Sequence, residues 1–350
     1  MYFPRGDVAA TGSVAAQPKQ STPMRQAFKL LEVLADGKFH SGQCLGNRLG
    51  ISRAAVWKHV KALERLGVAC YAVPGKGYRI VSPLELLDER RIRSSLNGAS
   101  ENLLAALEIL HDVPSTNRYL LDSVNKIPRS GHACFAERQT AGRGRRGRVW
   151  VSPFGRNIYL SVYWRFQSGA IELSALALAM GVAVARTVIA LGGRNVGLKW
   201  PNDVYWCDRK LAGILLEMTG ESQGPYHAVI GIGLNVNMNS DTALTVDIQQ
   251  PWVDLHTVAG RPLSRNAVAS VLLGETLSTL HAYQHHGFAP FHRDWSQLDI
   301  CAGRRVTLTS AVETVVGLAH GVDDTGALVF SSDGRQRRIH SGEVSLRPVE

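Results

Sequence analysis

The sequence predicts an α+β protein of several domains: an N-terminal winged helix-turn-helix module, a central α/β domain with a mixed sheet, and a C-terminal SH3-like β-barrel. Three observations support this prediction. Three short helical patterns before Ser82 are followed by a glycine-containing hairpin. Apolar runs of strand length then alternate with turn residues around one long apolar helix, and short alternating runs end the chain. With 350 residues the chain is long enough for two or three domains.

The positive charge of the chain is concentrated near its N-terminus. The formal net charge is +10, and residues 1–81 contain 12 Lys or Arg against 4 Asp or Glu. A basic surplus in one region favours an anionic partner such as nucleic acid. The alternative is a solvated basic surface without a partner.

The cysteines and the apolar stretches indicate a cytoplasmic protein without a membrane span. The five cysteines are scattered and show no metal-ligand spacing, which is typical of reduced thiols. The apolar run that starts at Leu173 is interrupted by Arg186 and is too short for a span, so it fits a buried helix. Residues 1–23 are polar, lack an apolar signal segment and are predicted to be a disordered tail.

Residues 24–82 show the element order of a winged helix-turn-helix. A first helix with an apolar stripe is followed by a short helix that Ser41 caps and a third helix that Ser52 caps. Three apolar residues of the third helix recur at helical spacing and should face the core: Val56, Val60 and Leu63. Two short strands around residues 74–77 then form the hairpin that serves as the wing.

The third helix would enter the major groove of DNA, with lysines of the helix and the wing against phosphates. The candidate DNA-binding residues are Ser52, Arg53, Lys58, Lys61 and Lys76. A module that only packs against the main domain is the alternative, and the basic surplus argues against it. Trp57 on the same helix fits half-buried packing, the commoner fate of a lone tryptophan, or the helix surface.

The remainder divides into three predicted segments: a connector over residues 83–107, a central domain over residues 108–299 and a barrel over residues 300–350. The connector is predicted to contain a polar amphipathic helix. In the central domain, Pro114 ends a strand, and Ser115 or Thr116 caps the helix that follows. Capping alone would account for Ser115, Thr116 and Asn117 on these residues.

Residues 142–150, "GRGRRGRVW", combine backbone freedom with positive charge. The glycines allow close approach of the backbone to a ligand, and arginine donates two hydrogen bonds to phosphate or carboxylate. Trp150 offers a flat face for a base such as adenine. The stretch is short and lies between two strand patterns, so an ordered nucleotide-like site is favoured over a disordered RGG-like segment. It matches neither a Walker A loop nor a dinucleotide-binding fingerprint.

Lys210 begins an apolar strand pattern and is a candidate for neutralising charge that develops on a carboxylate or phosphate. An exposed turn lysine paired with Asp208 is the alternative. Asn202 and Asp203 follow Pro201 as a turn, and Asp203 could also assist Mg²⁺. The C-terminal segment carries turn signals at residues 324–326 and 333–334, as expected for short strands of a small barrel. This barrel would serve as a stabilising lid, or its surface would help to bind a ligand or partner.

Taken together, several ordered motifs resemble biotin–protein ligases: "STN", "ERQTAGRGRRGRVW", "KWPND", "RKLAGIL" and "GIGLNVN". The N-terminal "GISRAAVWKHV" and "VPGKGY" resemble the bifunctional subgroup, which also represses the biotin operon. The resemblance implies a central domain of the class II synthetase-like type. It implies that biotin and MgATP form biotinyl-5′-adenylate, whose acyl group passes to a lysine of a biotin carboxyl carrier protein, the acetyl-CoA carboxylase subunit.

Site residues follow from the resemblance motif by motif. The residues that it assigns to biotin are Ser115, Thr116, Asn117, Gln139, Gly142, Arg143, Gly144, Arg145, Lys210 and Gly213. Those that it assigns to ATP or the adenylate are Arg143, Arg148, Trp150, Asn202 and Asn235. Lys210 and Arg145 are the catalytic candidates, and Asp203 is the candidate for Mg²⁺.

The resemblance also implies regulation. The adenylate would act as corepressor, order the arginine–glycine loop and promote homodimerisation on a two-part operator in front of biotin genes. Val149 departs from the pattern, because the repressor members carry a basic residue there. Two other functions are considered: a lipoate–protein ligase, and a regulator that senses biotinyl-adenylate without catalysis.

Overall fold

The computed structural model describes residues 22–167, 173, 175–220, 225–238, 248–310, 313–340 and 345–348. Their strands form sheets of two, seven and five strands in chain order. This arrangement confirms the predicted N-terminal module, mixed central sheet and C-terminal antiparallel sheet. Residues 1–21 of the predicted tail lie outside the described residues, and the first helix begins at Thr22.

The N-terminal module contains helices α1 (Thr22–Leu34), α2 (Gly42–Leu49) and α3 (Arg53–Arg65). The predicted caps are confirmed, because Ser41 accepts a hydrogen bond from the Cys44 amide and Ser52 accepts one from the Ala55 amide. The predicted apolar residues of α3 are buried in the core of the module. Strands β1 (Cys70–Val73) and β2 (Gly77–Ile80) form the wing as an antiparallel pair.

The connector is less helical than its sequence pattern predicts. Residues 84–88 are not helical, and only α4 (Glu89–Ser94) and α5 (Gly98–Leu103) form helices. The reason is tertiary: the Leu87 amide donates to Glu137 Oε1 at 2.6 Å, and the Asp88 amide donates to Asn266 Oδ1 at 2.7 Å. Hydrogen bonds to distant side chains replace the first turn that the local pattern favours.

The central sheet has the strand order β3-β4-β5-β9-β8-β7-β6, in which β3 and β4 are parallel and the other neighbours are antiparallel. Its strands are β3 (Ala106–Val113), β4 (His132–Gln139), β5 (Ile158–Phe166), β6 (Val196–Lys199), β7 (Asp203–Trp206), β8 (Arg209–Thr219) and β9 (Tyr226–Leu234). The sheet is therefore mixed, as predicted.

Helices cover both faces of this sheet. Helices α7 (Leu176–Ala190) and α9 (Arg265–His286) pack on one face, and α6 (Thr116–Leu121) packs on the other. Two shorter helices, α8 (Leu255–Ala259) and α10 (Ala289–Leu298), complete the domain. Because both faces are covered, β5 is buried at almost every position.

The C-terminal sheet contains β10 (Arg305–Thr309), β11 (Thr314–Val322), β12 (Leu328–Ser332), β13 (Arg335–Ile339) and β14 (Ser345–Pro348). Its order, β13-β12-β11-β10-β14, is antiparallel throughout. The predicted turns lie between β11 and β12 and between β12 and β13. Apolar side chains of this sheet, including Val306 and Phe330, belong to the same core as α7 and the central sheet.

One side chain of the central region belongs to the core of the N-terminal module. Phe154 is 4 % exposed and packs among the residues of α1 and α3, with its ring stacked on Phe28 at 6.0 Å between centroids. Phe28 also stacks on His111 of β3 at 4.3 Å. The two modules therefore share buried apolar contacts. Among the described residues, no helix is long and apolar enough to cross a bilayer.

Candidate functional site

A trough of glycines crosses two neighbouring strands on the face of the sheet that α6 covers. Gly231 and Gly233 of β9 lie on this face, and Gly213 of β8 pairs with Gly233. A Cβ atom on Gly231 would overlap the Asn117 side chain, and one on Gly233 would overlap the Trp150 ring. The glycines therefore leave the space that Asn117 and Trp150 fill from either side.

Helix α6 brings its buried N-terminal residues to one end of the trough. Ser115 caps the helix by accepting a hydrogen bond from the Arg118 amide, and Thr116 and Asn117 are each 3 % exposed. The Thr116 amide donates to Gln139 Oε1 at 2.9 Å, and the Asn117 Nδ2 donates to the Leu215 carbonyl at 3.1 Å. Capping therefore explains Ser115, but Thr116 and Asn117 reach across the sheet into the trough.

Ser161 and Glu217 complete this polar network, and neither was a sequence candidate. The Ser161 hydroxyl lies 2.6 Å from Asn117 Oδ1 and 2.7 Å from Thr116 Oγ1. Glu217 Oε2 accepts from Asn117 Nδ2 at 2.9 Å and from the Arg143 guanidinium at 3.0 Å. Glu217 thus joins the "STN" segment to the arginine–glycine loop. The alternation of "GIGL" signals a strand with one open face, but no local signal marks Glu217.

The arginine–glycine loop is a small closed hairpin. The Trp150 amide donates to the Gly142 carbonyl at 2.9 Å, and the Gly144 amide donates to the Arg148 carbonyl at 2.7 Å. A side chain on Gly142 would collide with the Trp150 carbonyl and with Ser152. At the tip, Gly147 has a φ of +70°, which glycine adopts without strain. The loop is therefore ordered around its own backbone hydrogen bonds.

The arginines of the loop differ in their surroundings. Arg145 is partly buried and donates to Asn202 Oδ1 at 3.3 Å, while Asn202 itself is held by a bond to the Ile214 carbonyl at 2.7 Å. Burial lowers the pKa of Arg145, and the nearby Asp203 carboxylate acts against that change. Arg146 and Arg148 are exposed. Two of the arginines therefore contact protein acceptors that an anionic ligand would replace or share.

Lys210, Asp203 and Trp150 lie together at the other end of the trough. The Lys210 ammonium is 2.8 Å from an Asp203 carboxylate oxygen and 5.5 Å from the centre of the Trp150 ring. The Lys210 side chain is only 14 % exposed. The predicted alternative, an exposed lysine paired with Asp208, is wrong, since the partner is Asp203. The Trp150 indole N–H is buried and has no hydrogen-bond partner among the described residues.

Two sequence candidates, and the Val149 that departs from the family pattern, lie at the edge of this arrangement. Asn235 is 5 % exposed, and its side-chain amide donates to the Val253 carbonyl, so it supports the strand that carries Lys210. Arg148 is exposed at the neck of the loop, where its carbonyl accepts a hydrogen bond from the Gly144 amide. Val149 pairs with Arg143 as a single β-bridge, and its side chain is 80 % exposed.

The carboxylates around the trough suit a metal ion that binds together with a phosphate ligand better than a metal ion that is permanently bound to the protein. Within the described ranges, no group of three or more His, Cys, Asp or Glu is arranged to hold a metal ion. Asp203 is a single carboxylate and already contacts Lys210. Mg²⁺ takes one or two carboxylates and completes its shell with phosphate oxygens and water.

The predicted DNA-binding residues are all exposed, on α3 with its cap and on the wing of the N-terminal module. Arg53, Lys58, Lys61 and wing Lys76 are exposed, although Lys61 also contacts Glu64 at 2.8 Å. Ser52 is exposed as well and caps α3. Trp57 is 52 % exposed, so it lies on the helix surface and is not a packing residue.

Comparison with known proteins agrees with this arrangement. Residues 110–235 match the biotin/lipoate A/B protein ligase family, residues 26–79 match an HTH domain, and residues 302–347 match the biotin protein ligase C terminal domain. The bifunctional ligase/repressor BirA of Salmonella typhimurium is 43% identical over 92% of this chain and 97% of its own length. The chain belongs to the family of bifunctional ligase/repressors. The BirA of Escherichia coli is 42% identical over 92% of this chain and 98% of its own length.

A solved structure supports the family assignment. The biotin protein ligase of Aquifex aeolicus, in complex with biotin and ATP, superposes with a TM-score of 0.60 at 27% identity. The match covers 70% of this chain and all of that one. The ligase fold of the family is therefore present here together with the HTH domain.

Proposed function

We propose that this protein is an ATP-dependent biotin–protein ligase that is also a transcriptional repressor of biotin synthesis genes. The observation that carries the enzymatic part is the trough itself. Buried polar groups of α6 close one end, and a partly buried lysine beside an indole face closes the other. Such a cleft accommodates a compact polar ring at one end and a nucleotide at the other. Membership of the ligase/repressor family supports both activities.

In this proposal the biotin ring system lies against α6 and the glycine floor. Gln139, Thr116 and Asn117 provide donors and acceptors for its ureido group, and Ser115 holds the end of α6 in place. Gly142, Gly144 and Gly213 let the backbone approach the ligand closely. Arg143 of the loop would exchange its contact with Glu217 for one with the ligand and would cover it.

The reaction needs no side-chain nucleophile. In the first step a biotin carboxylate oxygen attacks the α-phosphorus of ATP, the bond to the bridging oxygen breaks, and pyrophosphate leaves. In the second step the amine of a carrier lysine attacks the acyl carbonyl, an amide forms, and AMP leaves. The protein contributes by orienting the two substrates and stabilising negative charge.

Lys210 and Arg145 are the proposed catalytic residues of the first step. Both are cations at the same end of the trough as Asp203 and Asn202, so negative charge on the carboxylate and α-phosphate would be balanced there. Trp150 would lie against the adenine, and Arg148 and Asn202 beside the adenylate. Asn235 would act indirectly, by holding in place the strand that carries Lys210. Asp203 would hold Mg²⁺ bound to the phosphates of ATP, where the ion reduces their negative charge.

The ligase assignment is tested by biotin-dependent exchange of pyrophosphate into ATP. We expect exchange with biotin and much less with lipoate, and no exchange with biotin would contradict ligase activity. Exchange with lipoate alone would identify a lipoate–protein ligase. Adenylate binding without any exchange would identify a sensor without catalysis. Transfer to the biotin carboxyl carrier protein of acetyl-CoA carboxylase then tests the second step.

The repressor assignment is based on the exposed basic residues of α3 and of the wing. We propose that Arg53 and the start of α3 meet base edges and that Lys58, Lys61 and Lys76 meet phosphates, while Ser52 fixes the start of the helix. Biotinyl-adenylate would hold the loop closed and promote a homodimer that matches a two-part operator of the biotin genes. Because the reaction consumes ATP and the operator is DNA, we infer that the protein acts in the cytoplasm.

Gel-shift titration with biotin promoter DNA tests this second activity. Protein loaded with biotinyl-adenylate should bind more tightly than the ligand-free protein, and equal binding would contradict the corepressor role.

We propose domain limits at residues 24–82, 83–107, 108–299 and 300–350. Removal of residues 1–82 should therefore abolish DNA binding and leave residual pyrophosphate exchange.

A further inference from the structure

The C-terminal end of α9 carries a pair of histidines that neither the ligase nor the repressor activity uses. His281 and His285 are four residues apart, so they lie on one side of the helix, one turn from each other. Their ring centroids are 4.8 Å apart, and both side chains are exposed. Two imidazoles at this spacing can coordinate one metal ion from the same helix face.

The backbone below this pair is held firmly. In the same two turns, Leu280 and Tyr283 are buried, and the Tyr283 ring packs against Phe166 and Phe291. Gln284, between the two histidines, accepts a hydrogen bond from the Trp164 indole at 2.7 Å. Little backbone freedom would therefore be lost on metal binding, which favours affinity.

Helix α9 itself places no fixed positive charge next to the pair. From Ser278 to His286 helix α9 contains no lysine, arginine, aspartate or glutamate. The end of a helix also carries partial negative charge, and α9 ends at His286. Imidazole is a ligand for Zn²⁺, Cu²⁺ and Ni²⁺, whereas Mg²⁺ prefers oxygen.

We propose that His281 and His285 form a two-ligand site for a divalent transition metal ion. The part of the chain that the structure describes holds no cluster of three or more metal-binding side chains, so water completes the coordination shell. The site is separate from the ligase centre. Helix α9 has 22 residues, which places His285 about 30 Å along the helix from Arg265, whose guanidinium meets Glu137 of β4.

His286 provides a matched control for this proposal. Its ring centroid is 6.2 Å from that of His285, and it too is exposed. The variant His286→Ala keeps the pair with a spacing of four residues. The variant His285→Ala has the same number of histidines but leaves His281 and His286 five residues apart, on different sides of the helix.

Calorimetric titration of the metal-free full-length protein with Ni²⁺ tests the site. We expect the wild type and His286→Ala to bind with similar affinity and His285→Ala to bind at least about tenfold more weakly, since even an outer partner of a metal site is worth about 10–100-fold. Cu²⁺ should bind more tightly than Ni²⁺, and excess Mg²⁺ should not compete. Ni²⁺ should raise the thermal midpoint of the wild type and His286→Ala only.

Equal Ni²⁺ affinity of the two variants, or no binding by the wild type, would overturn the proposal. Biotin-dependent pyrophosphate exchange serves as the folding control for all three proteins. Exchange should be the same in each, because the variants change exposed side chains far from the trough.

Discussion

At the scale of single residues, Lys210 is the side chain on which adenylate formation should depend most. Its side chain is mostly covered and its ammonium lies beside Asp203 and Trp150, so its charge is less screened by water than that of a surface lysine. We predict that Lys210→Ala lowers the rate of pyrophosphate exchange about 100-fold or more, the usual loss for one preorganised charge-stabilising donor. Transfer from preformed biotinyl-adenylate to the carrier protein should fall much less.

The neighbouring Arg209 is the control, because its guanidinium stacks on Trp206 at 4.8 Å. Arg209→Ala removes a positive charge from the same strand and should leave both steps nearly unchanged. Equal loss of the two steps in Lys210→Ala would show instead that this lysine is structural.

Arg145 should control how long the adenylate stays bound. It reaches Asn202 from the loop and is partly buried, so it can donate charge-assisted hydrogen bonds to a phosphate. We predict that Arg145→Gly raises the dissociation rate of biotinyl-adenylate about tenfold or more, as expected for loss of a bond to a charged group. The released ester should then biotinylate an added bystander protein.

The matched control is Arg146→Gly, which removes one positive charge from the same loop. Arg146 is exposed and has a φ of +59°, which suits glycine. Its adenylate dissociation rate should stay near that of the wild type. If both variants released the adenylate equally fast, the overall charge of the loop would matter and not the position of Arg145.

At the scale of elements, α6 is anchored by a buried network outside the trough. Tyr119 donates to Glu108 Oε2 at 2.8 Å, and His132 lies 2.7 Å from Glu108 Oε1. Tyr119→Phe leaves the carboxylate with one partner fewer and should lower the free energy of unfolding by about 1.5–3 kcal/mol. Because α6 also carries Thr116 and Asn117, KM for biotin should rise while KM for ATP stays constant.

Tyr163→Phe is the control for this anchor, since it removes a hydroxyl that contacts His227 at 2.7 Å on the same face of the sheet. It should alter stability without a selective change in KM for biotin. A parallel rise of both KM values in Tyr119→Phe would mean that the network supports the whole domain and does not position α6.

Elements set by local chemistry were predictable from the sequence, and elements set by distant contacts were not. The caps at Ser41 and Ser52 depend on the next three residues, so the pattern alone located them. At the start of α6 the pattern left Ser115 and Thr116 as alternatives, and Ser115 is the cap. The connector contains the predicted helix, but this helix begins only at Glu89, because the Leu87 and Asp88 amides donate to Glu137 and Asn266. Glu217 was missed for the same reason: its partners Asn117 and Arg143 are far away in the chain.

At the scale of the whole molecule, the DNA-binding module is attached to the strands that lead into the ligand site. Phe154 follows the arginine–glycine loop and ends in the core of the module. Arg138, next to Gln139, holds Asp112 at 2.9 Å and also donates to the Arg65 carbonyl at the end of α3. These contacts would therefore transmit a movement of the loop or of β4 on adenylate binding to α3.

His111 makes this attachment sensitive to pH. Burial lowers the pKa of its imidazole below the ordinary 6.5, against the opposing effect of the carboxylates of Glu137 and Glu32. The ring stacks on Phe28, and its Nδ1 has no hydrogen-bond partner among the described residues. Below pH 6.5 His111 therefore binds a proton more readily when the module is undocked than when it is docked, and the stability of docking falls as the pH falls.

We predict that the thermal midpoint of the N-terminal module decreases as the pH is lowered from about 7 to about 5, across the ordinary histidine pKa. His111→Phe keeps an aromatic ring against Phe28 but cannot bind a proton, so its midpoint should decrease less over the same range. Differential scanning calorimetry measures the thermal midpoint of both proteins at each pH. The difference between the two proteins isolates His111, because all other titrating groups contribute equally to both. Parallel pH profiles would show that protonation of His111 does not weaken the contact between the two modules.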